Sequence, residues 1–89
     1  MKLKQGYVLR ELCGEFIVCP EGLDVLKGGR MFALNEPAAF LWRKVGDSEF
    51  TPDTLLEMLL EEYDVTERTA REDIQDLLEV LREYGVVEE

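Results

Sequence analysis

Residues 66–84, TERTAREDIQDLLEVLREY, decide the fold of this chain of 89 residues. The apolar positions recur every three or four residues, the period of an α-helix with one buried face. They are Ala70, Ile74, Leu77, Leu81 and Tyr84. Thr66 is a typical N-cap and Gly85 a typical terminator. A shorter helical stretch ends just before residues 63–65, so the two stretches predict a helix-turn-helix pair.

The charge of this helix is unusual for the DNA-reading helix of such a pair. Residues 66–84 carry six acids and three arginines, a net charge of −3. Most protein–DNA affinity comes from cations that neutralise phosphates, so this helix should be repelled by duplex DNA. A winged-helix transcription regulator remains the alternative function, and it predicts retention on DNA at low salt.

The composition indicates one small domain spanning residues 1–89. The net charge is −10, with seven bases and five acids in residues 1–46 but three bases and fifteen acids in residues 47–89. This asymmetry argues against nucleic acid or an anionic membrane as a partner. No apolar run approaches the roughly 18 residues of a membrane span. The first six residues lack an apolar signal region, so we expect a cytoplasmic protein.

The N-terminal half predicts three strands. Tyr7–Leu12 and Glu15–Pro20 are rich in β-forming residues, and Cys13-Gly14 between them suits a two-residue hairpin turn. Residues 21–29 are expected to be a loop. The third strand is predicted to comprise Arg30, Met31, Phe32, Ala33 and Leu34. Alternation places Met31 and Ala33 on one side of it, and Phe32 and Leu34 on the other.

Two further helices are expected between the strands and residues 66–84. Asn35 is the predicted N-cap of the first, which ends near Val45 at Gly46, and Thr51 caps the second, which ends near residue 62 or 63. The predicted fold class is therefore α+β, with a three-stranded antiparallel sheet followed by three helices (β-β-β-α-α-α). It is a small winged helix-turn-helix-like domain. Trp42 is expected to be the largest core side chain, and Val86-Val87 a tail that docks on the body.

No catalytic or metal-binding set is visible in the sequence. Histidine is absent, and Ser48 is the only serine, with no base near it in sequence. Cys13 and Cys19 are expected to be ordinary reduced thiols, because two thiols without histidine make a poor metal site. The acids of residues 61–64 lack the spacing of an EF-hand. We therefore expect no enzyme activity, no metal and no cofactor.

The third strand is the candidate binding element. An edge strand leaves backbone N–H and C=O groups free to pair with an extended peptide, the mode called β-augmentation. Beside it, the third helix offers a wall: Arg71, Gln75, Leu78 and Arg82 form one stripe next to its core stripe. We interpret this stripe as facing the third strand, where it would hold an acidic peptide with a hydrophobic anchor.

Structural roles for the same residues remain open. The arginines could instead pair with glutamates one turn away, as Arg68 could with Glu72. Leu78 is more often a core residue than a contact, and Ile74 could line either the groove or the core. A third hypothesis makes the chain a structural docking module whose acidic helices engage a basic protein.

Four segments together resemble the PqqD-like family. They are residues 29–42 (GRMFALNEPAAFLW), 62–65 (EYDV), 70–74 (AREDI) and 81–87 (LREYGVV), in that order. The resemblance covers nearly the whole chain, and its specificity lies in the order and spacing of the segments.

The resemblance implies a function. PqqD-like proteins are small winged-helix domains that bind the leader of a ribosomally made precursor peptide. They present it to a modifying enzyme, often a radical SAM enzyme, as in pyrroloquinoline quinone synthesis or a related pathway. In related recognition domains the leader pairs with the third strand and packs against the third helix. The expected partners are thus a leader peptide and a radical SAM enzyme. We expect the chain itself to be a monomer or a weak homodimer. Carried over by position, the resemblance implies a leader site at residues 30–34 and on the exposed face of the third helix. Together with the helical stripe, the predicted binding residues are Arg30, Met31, Phe32, Ala33, Leu34, Arg71, Ile74, Gln75, Leu78 and Arg82.

Overall fold

A three-stranded sheet followed by three helices forms the body of the molecule, which confirms the predicted α+β class. The computed structural model describes residues 1–89, apart from the side chains of Leu23 and Asp24. In chain order the elements are β1 (Lys2–Leu3), β2 (Tyr7–Leu12), β3 (Glu15–Pro20), α1 (Leu23–Leu26), β4 (Phe32–Leu34), α2 (Glu36–Val45), α3 (Pro52–Glu62), α4 (Glu67–Glu83) and β5 (Val87–Glu88).

The sheet has the order β2-β3-β4, with every neighbour antiparallel, so β4 is an edge strand. The β2–β3 hairpin turns at Cys13 and Gly14, whose φ angles are 53° and 80°. Positive φ at both positions is the geometry of a type I′ turn, which matches the twist of the flanking strands. The predicted hairpin is therefore confirmed residue for residue.

Three parts of the N-terminal prediction need correction. The third strand starts at Phe32, so Arg30 and Met31 precede it. The expected loop 21–29 contains the short helix α1. A second, two-stranded sheet, in which Leu3 of β1 pairs with Val87 of β5, was not anticipated. Strands of two residues leave no periodic pattern in a sequence. The expected docking of the C-terminal tail is confirmed, because Val86 is fully buried.

The helix boundaries follow from their caps. The side chains of Asn35, Thr51 and Thr66 accept hydrogen bonds from backbone N–H groups three residues later, as predicted. Gly46, with φ of 51°, ends α2, and its N–H bonds the carbonyl of Trp42. Gly85 follows α4 with φ of 68°, which a residue with a side chain adopts less readily.

The core lies between the inner face of the sheet and the three long helices. Its fully buried members include Val18 from β3, Leu41 from α2, Leu55 and Leu59 from α3, and Leu81 from α4. Trp42 is only half-buried at the margin of this core, contrary to the expectation that it would be the largest core contributor. At another margin, the ring of Tyr63 packs edge-on against Phe40. Burial is the main cause that raises the pKa of the Tyr63 hydroxyl, and the negative charges of Glu36 and Glu62 raise it further. No helix in the described part of the chain is long and apolar enough to cross a membrane.

Candidate functional site

A cleft of about 140 Å³ opens between β4 and α4, and we call it the β4–α4 cleft. Its strand wall consists of Ala33, Leu34 and Asn35. Its helix wall consists of Asp73, Asp76 and Val80. Its floor is made of aliphatic side chains contributed by all three long helices: Ala38, Leu41, Leu59 and Leu77. The cleft thus joins an edge strand to an apolar floor and an acidic rim.

The open edge of β4 can be assigned from the register of the sheet. Leu12 and Glu15 flank the two-residue turn, so this pair exchanges both of its backbone hydrogen bonds. Hydrogen-bonded and non-bonded pairs alternate along the hairpin, so Arg10 and Ile17, two pairs further on, are again hydrogen-bonded. The N–H and C=O of Ile17 therefore point towards β2. Ile17 stands opposite Ala33 in β4, so this second pair is a non-bonded one. The N–H and C=O of Ala33 therefore point away from β3, to the open edge.

The side chains of β4 alternate as the sequence predicts. Phe32 and Leu34 are buried against the core, whereas Ala33 and Met31 face outwards, the latter with 65% of its surface exposed. The predicted third-strand residues are thus brought together at one edge. Phe32 and Leu34 hold the strand in place, and Met31 and Ala33 are accessible.

Arg30 fastens the start of β4 to the end of α4. Its guanidinium lies over the ring of Tyr84, 4.5 Å from the centroid, and its Nη2 donates a hydrogen bond of 3.4 Å to the carbonyl of Glu83. The same tyrosine ring stacks on Phe32 with a centroid separation of 4.5 Å. This cluster positions the edge strand against the helix by an aromatic stack and a cation–π contact.

Asp73 and Asp76 form the acidic rim of the cleft. Asp73 is half-buried and Asp76 is exposed, and they lie one turn apart on the same side of α4. Neither forms an ion pair with any side chain that the structure describes. Two uncompensated carboxylates therefore border the apolar floor.

The predicted wall of α4 does not face β4, and this part of the sequence interpretation is corrected. The stripe Arg71, Gln75, Leu78 and Arg82 lies roughly 180° around the helix axis from the cleft residues, on the opposite flank of the buried face. Leu78 and Ile74 are core residues, only 3% and 4% exposed.

The arginines of that flank are engaged with glutamates instead. Arg71 pairs with Glu67 at 3.1 Å and Arg82 with Glu89 at 2.8 Å. Arg68 pairs with Glu72 at 3.5 Å, which is the contact that the sequence left open. The basic wall expected for an acidic peptide is thus absent from the cleft, and the wall found there is acidic.

The sequence offered no signal that would choose between the two flanks of α4. Each flank carries one aliphatic residue beside the core stripe, Val80 on one and Leu78 on the other. Which flank meets β4 depends on how the helix is set against the sheet, a long-range property. The structure resolves the choice, because Val80 is half-buried and lines the cleft.

Comparison with known proteins places the chain in a family. The sequence profile of the family described as "Coenzyme PQQ synthesis protein D (PqqD)" matches residues 16–87. This match spans most of the chain, from β3 to β5, and the protein belongs to the PqqD family. A search of the curated proteins finds no match.

Two solved structures share the fold. TbiB1, solved in complex with the TbiA(beta) leader peptide, superposes with a TM-score of 0.72 at 22% sequence identity, over 99% of this chain and 95% of that one. Lasso peptide synthetase B1, complexed with its leader peptide, superposes with a TM-score of 0.67 at 22% identity, over 96% and 93% of the two chains. At this identity the likeness concerns the fold.

Proposed function

We propose that this protein binds the leader of a ribosomally made precursor peptide, by strand addition to β4, and presents it to a modifying enzyme. The observation that carries the proposal is Ala33, whose backbone N–H and C=O point out of the sheet into a cleft bounded by α4. Membership of the PqqD family supports it, and so do the two structural neighbours, both of which hold leader peptides.

The proposed contacts are shared between backbone and side chains. An added strand exchanges hydrogen bonds with Ala33, and with Met31 if it continues along the edge, each worth about 1 kcal/mol net. One apolar side chain of the leader enters the cleft, between Val80 and the floor. A short interface of this kind binds at roughly micromolar strength, about −8 kcal/mol. Arg30, Phe32 and Leu34 contribute by holding β4 in position.

The role proposed for the chain is that of a non-catalytic adaptor in the cytoplasm. Histidine is absent from the sequence, and no group of metal-ligating residues occurs among the described residues. The chemistry would therefore be carried out by a partner enzyme. The family resemblance favours a radical SAM enzyme of pyrroloquinoline quinone synthesis or of a related pathway.

A pair of proline variants tests strand addition. Ala33→Pro removes an N–H that points outwards and leaves the β3–β4 hydrogen bonds intact, and proline is tolerated on such edges. Glu11→Pro is the matched control. Glu11 lies on the opposite edge of the sheet and belongs to a non-bonded pair of β2 and β3, so its N–H also points out of the sheet. The ligand is the short precursor peptide encoded next to the gene, titrated into each ¹⁵N-labelled protein.

Strand addition at β4 predicts that Ala33→Pro weakens binding at least tenfold, since a hydrogen bond is lost and the proline ring obstructs the incoming backbone. Glu11→Pro should bind like the wild type, and both spectra should keep their dispersion. Equal binding by the wild type and Ala33→Pro would refute strand addition at this edge.

A further inference from the structure

We propose that the peptide segment seated in the β4–α4 cleft carries an apolar residue and a lysine or arginine two positions apart. The apolar side chain fills the cavity over Leu77, and the basic side chain pairs with Asp73 and Asp76. This inference rests on the proposed peptide-binding function and specifies the class of peptide. It replaces the acidic peptide that the sequence alone suggested.

The cavity selects the apolar residue. Its volume of about 140 Å³ is close to the roughly 150 Å³ of a cavity that accepts benzene, so one aliphatic or aromatic side chain fits. Three floor residues, Leu41, Leu59 and Leu77, are almost fully buried and present only hydrocarbon. A polar side chain inserted there would lose its hydration without gaining a partner.

The aspartates select the basic residue. The three arginines of α4 are all paired with glutamates, whereas Asp73 and Asp76 have no cationic partner among the described residues. Like charges one turn apart repel each other, so the pair costs stability in the free protein. A cation placed between them removes that repulsion and forms charge-assisted hydrogen bonds.

Neither solubility nor the nearby end of α2 accounts for the position of Asp73. Solubility calls for exposed acids, but Asp73 is half-buried on the wall of a cleft. The N-terminus of α2 also lines the cleft, but its donors are largely committed. Asn35 accepts the N–H of Ala38, and Pro37 has none to offer. The carboxylate of Asp73 is therefore left for a ligand, and Asp76 lies one turn away on the same side of α4.

The spacing follows from the two elements that form the cleft. Leu77 and Asp73 are one turn apart, about 6 Å along the axis of α4. Alternate residues of an extended peptide are about 6.6 Å apart and point to the same side. A peptide paired with β4 can therefore direct one side chain to the floor and the side chain two residues away to the aspartates.

A display selection with randomised 12-residue peptides, performed on the full chain, tests this inference. Four proteins are compared: the wild type, Asp73→Asn/Asp76→Asn, Glu57→Gln/Glu79→Gln and Ala33→Pro. The glutamate pair is the matched control, because both side chains are exposed, unpaired among the described residues and outside the cleft, and two charges are removed in each case. Selected peptides are then resynthesised with their basic residue replaced by glutamine.

Wild type and glutamate control should both enrich an apolar residue and a Lys or Arg at positions i and i+2, in one order. The Asp73→Asn/Asp76→Asn variant should lose the basic preference and bind the wild-type consensus about tenfold more weakly. The glutamine peptide should show the same loss on the unmodified protein, which keeps the test valid if the double variant misfolds.

The outcomes separate this inference from the function on which it rests. Two results would overturn the inference alone, given that the selected peptides bind Ala33→Pro more weakly than the wild type. In the first, the peptides show no enrichment of Lys or Arg. In the second, peptides selected on Asp73→Asn/Asp76→Asn show the same enrichment. No enrichment, or peptides that bind Ala33→Pro as well as the wild type, overturn the proposed function and the inference together.

Discussion

The two flanks of α4 carry similar numbers of charges and differ in how those charges are compensated. On the outer flank, Arg71 and Arg82 lie within 3.1 Å and 2.8 Å of glutamate oxygens. On the cleft flank, Asp73 and Asp76 border an apolar floor without a cation among the described residues. The net charge of the helix therefore says little about its partner. The residues that a ligand can contact are those whose charges the fold leaves uncompensated.

The largest effect is expected from filling the cleft flank. Val80→Arg places a long side chain over the floor and, four residues after Asp76, supplies the missing cation. Peptide affinity should fall about 100-fold, some 2.7 kcal/mol, because both subsites become occupied. Isothermal titration calorimetry with the precursor peptide measures this loss.

The control for this variant lies on the other flank. Gln75→Arg adds the same side chain at an exposed position outside the cleft. It should bind the peptide as the wild type does. An equal loss of affinity in both variants would mean that the flanks are not functionally distinct.

Neighbouring core leucines provide a second, smaller contrast. Leu77 and Leu78 are both buried, at 7% and 3% exposure, but only Leu77 lines the cleft. Truncation of either to valine should lower the free energy of unfolding by about 1–2 kcal/mol through lost packing. Urea denaturation measures this change.

Peptide binding should then distinguish the two leucine variants. Leu77→Val alters the floor and should change affinity severalfold, whereas Leu78→Val should leave it unchanged at temperatures where both are folded. A change confined to Leu78→Val would place the binding surface on the outer flank.

Loss of the Arg30 contact is expected to have a smaller effect. Arg30→Gln removes the guanidinium from the exposed face of Tyr84, a contact worth about 0.5–1 kcal/mol. Thermal unfolding should shift by a few degrees, and peptide affinity should fall only two- to threefold, because β4 is still held by β3. Unchanged stability would show that the contact does not fasten the strand to the helix.

The smallest effect is expected on the outer flank. Arg71→Gln and Arg82→Gln each break an ion pair in which both side chains are more than 40% exposed, so each should cost less than about 0.5 kcal/mol. Peptide affinity should not change. A tenfold loss in either variant would restore the basic wall that the sequence suggested.

How well the sequence predicted each region depended on how local its determinants are. The hairpin and the three N-caps rest on a few adjacent residues, such as Cys13-Gly14 and Thr66, and all were predicted. The pairing of Leu3 with Val87 joins the two ends of the chain and involves strands too short to show alternation.

Of the two walls of the candidate site, the sequence predicted the strand and not the face of the helix. Edge strand β4 was identified because its alternation of buried and exposed residues is local. The facing wall was placed on the wrong flank of α4, because helical periodicity is symmetrical about the core stripe. Packing of the helix on the sheet, which periodicity does not encode, brings Asp73 and Asp76 to the cleft.

Amide hydrogen exchange at Ala33 tests strand addition most directly and needs no substitution. The N–H of Ala33 points to the open edge in the free protein, and a paired peptide strand would accept its hydrogen bond. With saturating precursor peptide, exchange at Ala33 should slow at least tenfold, while Glu11, on the opposite edge, should exchange at its free rate. Unchanged exchange at Ala33 under saturation, or protection that appears at Glu11 instead, would contradict the account.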